Sequence, residues 1–229
     1  MRINKYLASC GLGSRRKVEE LVSSGRISVN GKKISNLSTD IKPSDKVLFD
    51  STLVTPNKFV YYLLNKPIGY TSTTEDPHST KNVTDLVPSD PVVFPVGRLD
   101  KDSEGLIMLT NDGDFAQQLS HPRYDHEKEY IVEAQGPRDD LNTHLDKAVR
   151  LFRCGFNIHG YKTRPAVAKV ISKKGNVITF NIVLKEGRKR QIRITLDRAG
   201  FTVVSLKRIR VSNWSLGDLQ TGDYAEFKP

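Results

Sequence analysis

Ten residues near the middle of the chain, Gly97-Arg98-Leu99-Asp100-Lys101-Asp102-Ser103-Glu104-Gly105-Leu106, gather three carboxylates and two cations between glycines. The stretches on either side, Val92 to Val96 and Leu106 to Thr110, read as strands. A charged loop carried on a rigid sheet is where a carboxylate can be offered to a substrate as a nucleophile. Read on residue types alone, the loop is a structural turn closed by salt bridges, since Asp and Arg are common in glycine-flanked turns. A second set of reactive types is purely cationic. Ser14 can cap a helix that opens Arg15-Arg16-Lys17, placing three cations beside the free backbone donors of a helix N-terminus, a good phosphate site. Metal chemistry finds no pattern: Cys10 and Cys154 form no CxxC pair, and His78, His121, His126, His144 and His159 form neither HExxH nor a cysteine-histidine cluster. No metal and no cofactor are expected, and both cysteines read as small buried hydrophobes.

The elements that must hold these groups follow from charge and hydropathy. At 229 residues with 37% hydrophobic and 27% charged residues, the chain is long enough for one small and one medium domain. No apolar run reaches the roughly 18 residues of a membrane span, and no export signal is visible, so a cytoplasmic protein is expected. The net charge of +10 favours a polyanionic partner. It is unevenly placed: residues 1 to 58 carry eleven Lys and Arg against five Asp and Glu, residues 185 to 210 nine against two, and residues 59 to 184 fifteen against sixteen. Two basic segments around a neutral body imply two grips on one nucleic acid.

Residues 1 to about 48 read as helix, turn, helix, hairpin. Ile3 and Leu7 share a helical face, Gly11 can end that helix, and Val18, Leu21 and Val22 continue the stripe in the next. Ile27-Ser28-Val29, Asn30-Gly31 and Lys32-Lys33-Ile34 form a hairpin, because Asn-Gly suits the two positive φ angles of a tight turn. These residues, with Arg2-Ile3-Asn4-Lys5-Tyr6-Leu7, Gly25 and Lys32, resemble the S4 RNA-binding domain. Residues 50 to 58 are polar and contain a proline, so they read as a linker. The division expected is 1–57 for the S4 domain and linker, and 58–229 for the second domain. There Phe59 to Leu64 reads as a buried strand. Further strands are expected at Glu129 to Glu133, Ala166 to Ser172, Val177 to Leu184 and Val203 to Arg208. Helices are expected at Phe115 to Ser120, about 139 to 149, and Arg190 to Ala199. The fold class is α+β, with a mixed, mainly antiparallel sheet flanked by helices.

Gly97-Arg98-Leu99-Asp100, the Ser103 to Gly113 stretch and Leu63-Leu64-Asn65-Lys66-Pro67 resemble, in order, the signature loop and opening strand of pseudouridine synthases. So do His126-Glu127-Lys128-Glu129-Tyr130, Thr163-Arg164-Pro165-Ala166 and Glu186-Gly187-Arg188-Lys189-Arg190-Gln191-Ile192-Arg193. The resemblance spans about 59 to 224 and, with the S4 module, points to the RsuA/RluB/RluF branch. It implies that Asp100 is the nucleophile, Tyr130 the tyrosine that stacks on the target base, and Arg193 the basic residue paired with that aspartate. It implies that Leu206 shapes the pocket and that Arg98 helps displace the target nucleotide, since a base must leave its stack to react. Plainer roles are a core tyrosine, a phosphate contact and a core leucine. Arg15, Arg16, Lys17, Lys32, Arg188, Arg190 and Gln191 complete the expected RNA contacts. Ile194-Thr195 departs from the arginine and methionine of many relatives, which removes one expected phosphate contact, and the long basic tail of some large-subunit enzymes is missing. The expected activity is isomerisation of a uridine in ribosomal RNA by a monomer, with 23S rRNA favoured over 16S by the His126 to Tyr130 and Glu186 to Arg193 segments. A non-catalytic S4-type ribosome assembly factor and a tRNA-modifying enzyme are the alternatives.

Overall fold

The computed structural model describes residues 1–74 and 80–229; His78 lies outside them. The chain divides into two compact units, Met1–Val60 with Ser89–Val93, and Tyr61–Pro88 with Phe94–Pro229.

In the first unit, α1 (Ile3–Ser9) and α2 (Arg15–Ser23) pack on a small sheet of β1 (Ile27–Val29), β2 (Lys32–Lys33), β3 (Val47–Phe49) and β4 (Thr52–Leu53), in the order β2-β1-β3-β4. The apolar stripes supply the core: Ile3, Leu7, Val18, Val22, Ile27 and Val47 are fully buried. The Ser14 side chain accepts from Lys17 N at 3.3 Å, capping α2 as its residue type suggests. Asn30 and Gly31 both take positive φ, 51° and 79°, and close the β1-β2 hairpin. The reading of 50 to 58 as linker is corrected in part. Asp50 and Ser51 form a second left-handed turn, and Thr52–Leu53 pairs with Leu48 and Phe49.

The second unit is built on one large sheet. Its strands are β5 (Tyr61–Lys66), β6 (Phe94–Val96), β7 (Glu104–Thr110), β8 (Lys128–Gln135), β11 (Val167–Lys174), β12 (Val177–Leu184), β13 (Thr202–Val211), β14 (Trp214–Ser215) and β15 (Tyr224–Glu226), with a separate hairpin of β9 (Asn157–Ile158) and β10 (Tyr161–Lys162). The order is β11-β12-β8-β13-β7-β5-β15, with β6 paired to β7 and β14 to β13. Among the described pairs of these strands only β13 and β7 are parallel, so the sheet is mixed and mainly antiparallel. Its apolar alternation is clearest in β12, where Ile178, Phe180, Ile182 and Leu184 point into the core. The helices are α3 (Gly113–Ser120), α4 (Leu141–Cys154) and α5 (Gln191–Arg198). His144 Nδ1 lies 2.7 Å from Ala199 O, tying α4 to the end of α5.

Two sequence readings fail here. Phe59 precedes β5 and is exposed, so the buried strand begins at Tyr61. Cys154 is exposed at the end of α4 and Cys10 half-buried, because both sit at helix ends rather than on the packed faces. No helix among the described residues is long and apolar enough to cross a membrane.

Candidate active site

The charged loop is the connection of the β6-β7 hairpin, in which Val96 pairs with Met108. Its backbone is pinned from several sides. Leu99 is buried; its N donates to Ser72 Oγ at 3.1 Å, and that hydroxyl donates back to Leu99 O at 2.9 Å. Gly69 N donates to Lys101 O at 2.8 Å. Beneath the loop lies Lys66, with no exposed surface, whose Nζ donates to Ser103 O at 2.6 Å and Pro67 O at 2.9 Å. Burial pushes the Lys66 ammonium down to about 8, against the pull of Asp102, Asp100 and Glu104. Arg208, also buried, donates from Nε to Leu106 O at 2.7 Å. Gly105 explains why this arginine can come so close: φ there is +103°, and a Cβ would meet Arg208 O at 2.2 Å.

Facing the loop is a second connection, residues 185 to 190, between β12 and α5. Its organiser is Glu186, a buried carboxylate that accepts from Arg164 N at 2.8 Å, Gln191 Nε2 at 2.8 Å and Tyr161 OH at 3.2 Å. A buried charge is tolerated when its lone pairs are filled in this way. Gln191 is itself buried, and its Oε1 accepts from Arg188 N at 3.3 Å. Arg190 takes a left-handed conformation, φ 55°, just before α5. Its Nη1 reaches Asp102 at 3.1 Å and Asp100 Oδ2 at 3.8 Å.

Tyr130 on β8 and Leu206 on β13 come from adjacent strands, since Leu206 pairs with Val132 and Arg208 with Tyr130. A cleft of about 350 Å³ is lined by Arg98, Asp100, Tyr130, Leu206 and the 187–193 segment. All eight sequence candidates of this unit, Arg98, Asp100, Tyr130, Arg188, Arg190, Gln191, Arg193 and Leu206, therefore line one cleft. Tyr130 and Leu206 are 7% exposed each, so both are core residues that turn an edge to the cleft. Arg15, Arg16, Lys17 and Lys32 are exposed in the first unit.

One expected pairing is corrected. Arg193 does not take Asp100 as its partner: Nη2 donates to Asp102 O at 2.9 Å and lies 3.4 Å from both Asp102 Oδ2 and Ser103 Oγ. Arg190, left-handed at the head of α5, is the cation that approaches Asp100. Thr195 is buried and bonds back to Gln191 O at 2.8 Å. Sequence reasoning assigned no role to Lys66, Ser72, Tyr161, Glu186 or Arg208. A lysine closing the run Tyr61 to Asn65 was the one available signal. Among the described residues no group of three or more His, Cys, Asp and Glu is placed to hold a metal ion.

Comparison with known proteins follows the same two-part division. The profile of the RNA pseudouridylate synthase family matches residues 60–198, and that of the S4 domain residues 1–47. Ribosomal large subunit pseudouridine synthase B of Bacillus subtilis (strain 168) is 38% identical over 232 residues, covering 100% of this chain and 92% of that protein. Dual-specificity RNA pseudouridine synthase RluF of Escherichia coli (strain K12) is 36% identical over 230 residues, covering 99% of this chain and 75% of its own. A crystal structure of a pseudouridylate synthase shares the fold, with a TM-score of 0.68 at 24% identity, covering 100% of this chain and 96% of that one.

Proposed function

The chain belongs to the RNA pseudouridylate synthase family, and on that footing we propose that it isomerises one uridine of 23S rRNA to pseudouridine with Asp100 as nucleophile. The observation that carries the reading is the cleft: Asp100 stands in it with Tyr130 and Leu206, facing Arg188, Arg190 and Arg193. The large-subunit designation of the Bacillus subtilis relative supports the choice of 23S over 16S rRNA.

The chemistry suits these residues. The bond from ribose C1′ to N1 of uracil must break, the base must turn, and C1′ must join C5; C5 loses a proton and N1 gains one, so no oxidant or donor is consumed. A carboxylate can hold the intermediate covalently and then leave. Asp100 takes that role because its loop backbone is fixed while its side chain, 37% exposed, stays accessible. Tyr130 offers an aromatic edge for the base, Leu206 closes the floor, and Arg98, exposed at the rim, fills the place of the displaced nucleotide. Arg190 and Arg193 face a phosphate backbone, Arg188 meets the RNA beside them, and Gln191 orients their loop. Residues 1–57, with Arg15, Arg16, Lys17 and Lys32, form the second RNA grip, and residues 58–229 the catalytic domain.

Pseudouridine mapping of total rRNA from cells with and without the gene tests this. One 23S position should vanish on deletion, return with wild type, and stay absent with Asp100→Asn. A lost 16S or tRNA position would move the substrate; an unchanged map would leave an RNA-binding factor without this activity.

A further inference from the structure

Tyr161 belongs to no motif used above, yet it backs Arg188, a residue that lines the cleft. Its ring lies under Arg188, whose Cζ is 3.5 Å from the ring centroid. Carbon at that distance from the centre of a six-membered ring must stand over its face. The Tyr161 hydroxyl donates to Glu186 Oε2 at 3.2 Å, and Arg188 Nε lies 3.9 Å from the same oxygen. One buried carboxylate thus fixes both the ring and the guanidinium above it. The Glu186 side chain is 6% exposed and the Arg188 side chain 51%, so the anchor is hidden and the platform open. Arg188 and Gly187 both line the cleft that holds Asp100.

The neighbouring cations are held differently. Arg190 reaches across to Asp100 and Asp102, and Arg193 to Asp102 and Ser103. Arg188 has its charge met on its own side of the cleft by Glu186 and one face covered by an aromatic ring. What it presents outward is a flat, weakly hydrated surface. Bases splayed from RNA stack on arginine planes as they do on aromatic rings, and lysine cannot supply such a plane.

We propose that Tyr161, Glu186 and Arg188 form a base-stacking subsite, in which a nucleotide flanking the target uridine lays its base on the Arg188 guanidinium. The inference rests on the reading that the cleft takes a uridine of RNA. Arg188 acts here by shape more than by charge. Glu186 and Tyr161 are positioning residues, since neither reaches the stacked base.

Charge and shape separate experimentally. The full chain, as wild type, Arg188→Lys, Arg188→Gln and Tyr161→Leu, is titrated with a 23S rRNA fragment spanning the mapped uridine, across a range of salt. Both Arg188 variants should lose about tenfold in affinity, the worth of one base stack, with the salt slope of Arg188→Lys equal to wild type. Tyr161→Leu should lose nearly as much. An abasic ribose placed at each flanking position in turn should weaken wild type at one position and leave Arg188→Lys indifferent there. Arg188→Lys binding like wild type, or no flanking position coupled to Arg188, overturns the subsite. Thermal melts confirm that each variant is folded, and Arg188→Lys, altering an exposed side chain, keeps the test open should Tyr161→Leu fail to fold. Failure of the functional reading looks different: wild type would bind the fragment and form no pseudouridine, whatever Arg188 does.

Discussion

The two walls of the cleft are anchored in opposite ways. The acidic wall, where Asp100 lines the cleft and Asp102 and Glu104 follow it along the chain, stands on two buried cations, Lys66 and Arg208, which donate to backbone carbonyls of Ser103 and Leu106. The basic wall stands on one buried anion, Glu186, which mostly grips side chains: Gln191, Tyr161 and Arg188. Cations that spend their donors on carbonyls fix the chain without themselves engaging the carboxylates. An anion that collects side-chain donors fixes the orientation of flat groups. The first arrangement suits a nucleophile, which must be placed yet stay able to form and break a bond. The second suits recognition, where the shape of a held group is the property in use.

The largest effect should come from the acidic wall. Asp100→Asn keeps size and polarity and removes the proposed nucleophile, so turnover should fall at least about a thousandfold, roughly 4 kcal/mol on the barrier. RNA affinity should stay within about twofold. Release of tritium from C5-labelled uridine measures the first, filter binding the second. Turnover within tenfold of wild type would remove Asp100 from its role. Next in size is Lys66→Met, which leaves Ser103 O and Pro67 O without their donor and should destabilise the fold by about 2 kcal/mol at neutral pH. The effect depends on pH with a definite sign. Lys66 sits at about 8 when folded against 10.5 in the free side chain, so between those values the unfolded chain binds more protons and the wild type gains stability as pH rises. The gap between wild type and Lys66→Met, read from denaturant melts, should therefore widen from pH 8 to pH 10.5. A gap that narrows would mean the reverse, that the fold favours the charged ammonium and its partners outweigh its burial.

The same contrast explains what could be read from the chain. Features set by near neighbours were legible: Ser14 as a cap, Asn30-Gly31 as a turn, and the alternation of Ile178, Phe180, Ile182 and Leu184. Asp50-Ser51 makes a similar left-handed turn with residues that carry no such signal, so its hairpin passed for a linker. Tyr224–Glu226 is exposed and unpatterned, and becomes a strand only by pairing with Tyr62 to Leu64 far away in sequence. In the cleft, residue types and resemblance picked out Asp100, Tyr130, Leu206 and the 188–193 cations, but not their anchors. Lys66 and Ser103 are 37 residues apart, and Tyr161 and Glu186 are 25 apart. A buried charge announces itself only once its partners are known. That is also why Arg193 was matched to the wrong aspartate: sequence fixes neither which carboxylate a helix-borne arginine meets nor the left-handed turn that sends Arg190 to Asp100.

The smallest effect belongs to the bridge between the walls. Arg190 is 42% exposed and meets Asp102 at 3.1 Å and Asp100 at 3.8 Å. Ion pairs this open to solvent contribute about 0.2–1 kcal/mol, so Arg190→Gln should shift stability by less than about 1 kcal/mol. Its consequence for RNA depends on whether the bridge opens. If Arg190 leaves the aspartates to meet a phosphate, the substitution lowers the slope of log affinity against log salt by about 0.7–0.9, one counterion's worth. If it stays on Asp102, the slope is unchanged, and the variant changes only how the acidic loop is held. We expect the slope to fall, because an exposed pair has little to lose by exchanging a carboxylate for a phosphate, whereas Arg188, tied to a buried anion, does not make that exchange. Arg190→Gln and Arg188→Lys titrated side by side should then differ in kind: the first changes the salt slope with a small loss at low salt, and the second changes affinity with the slope intact.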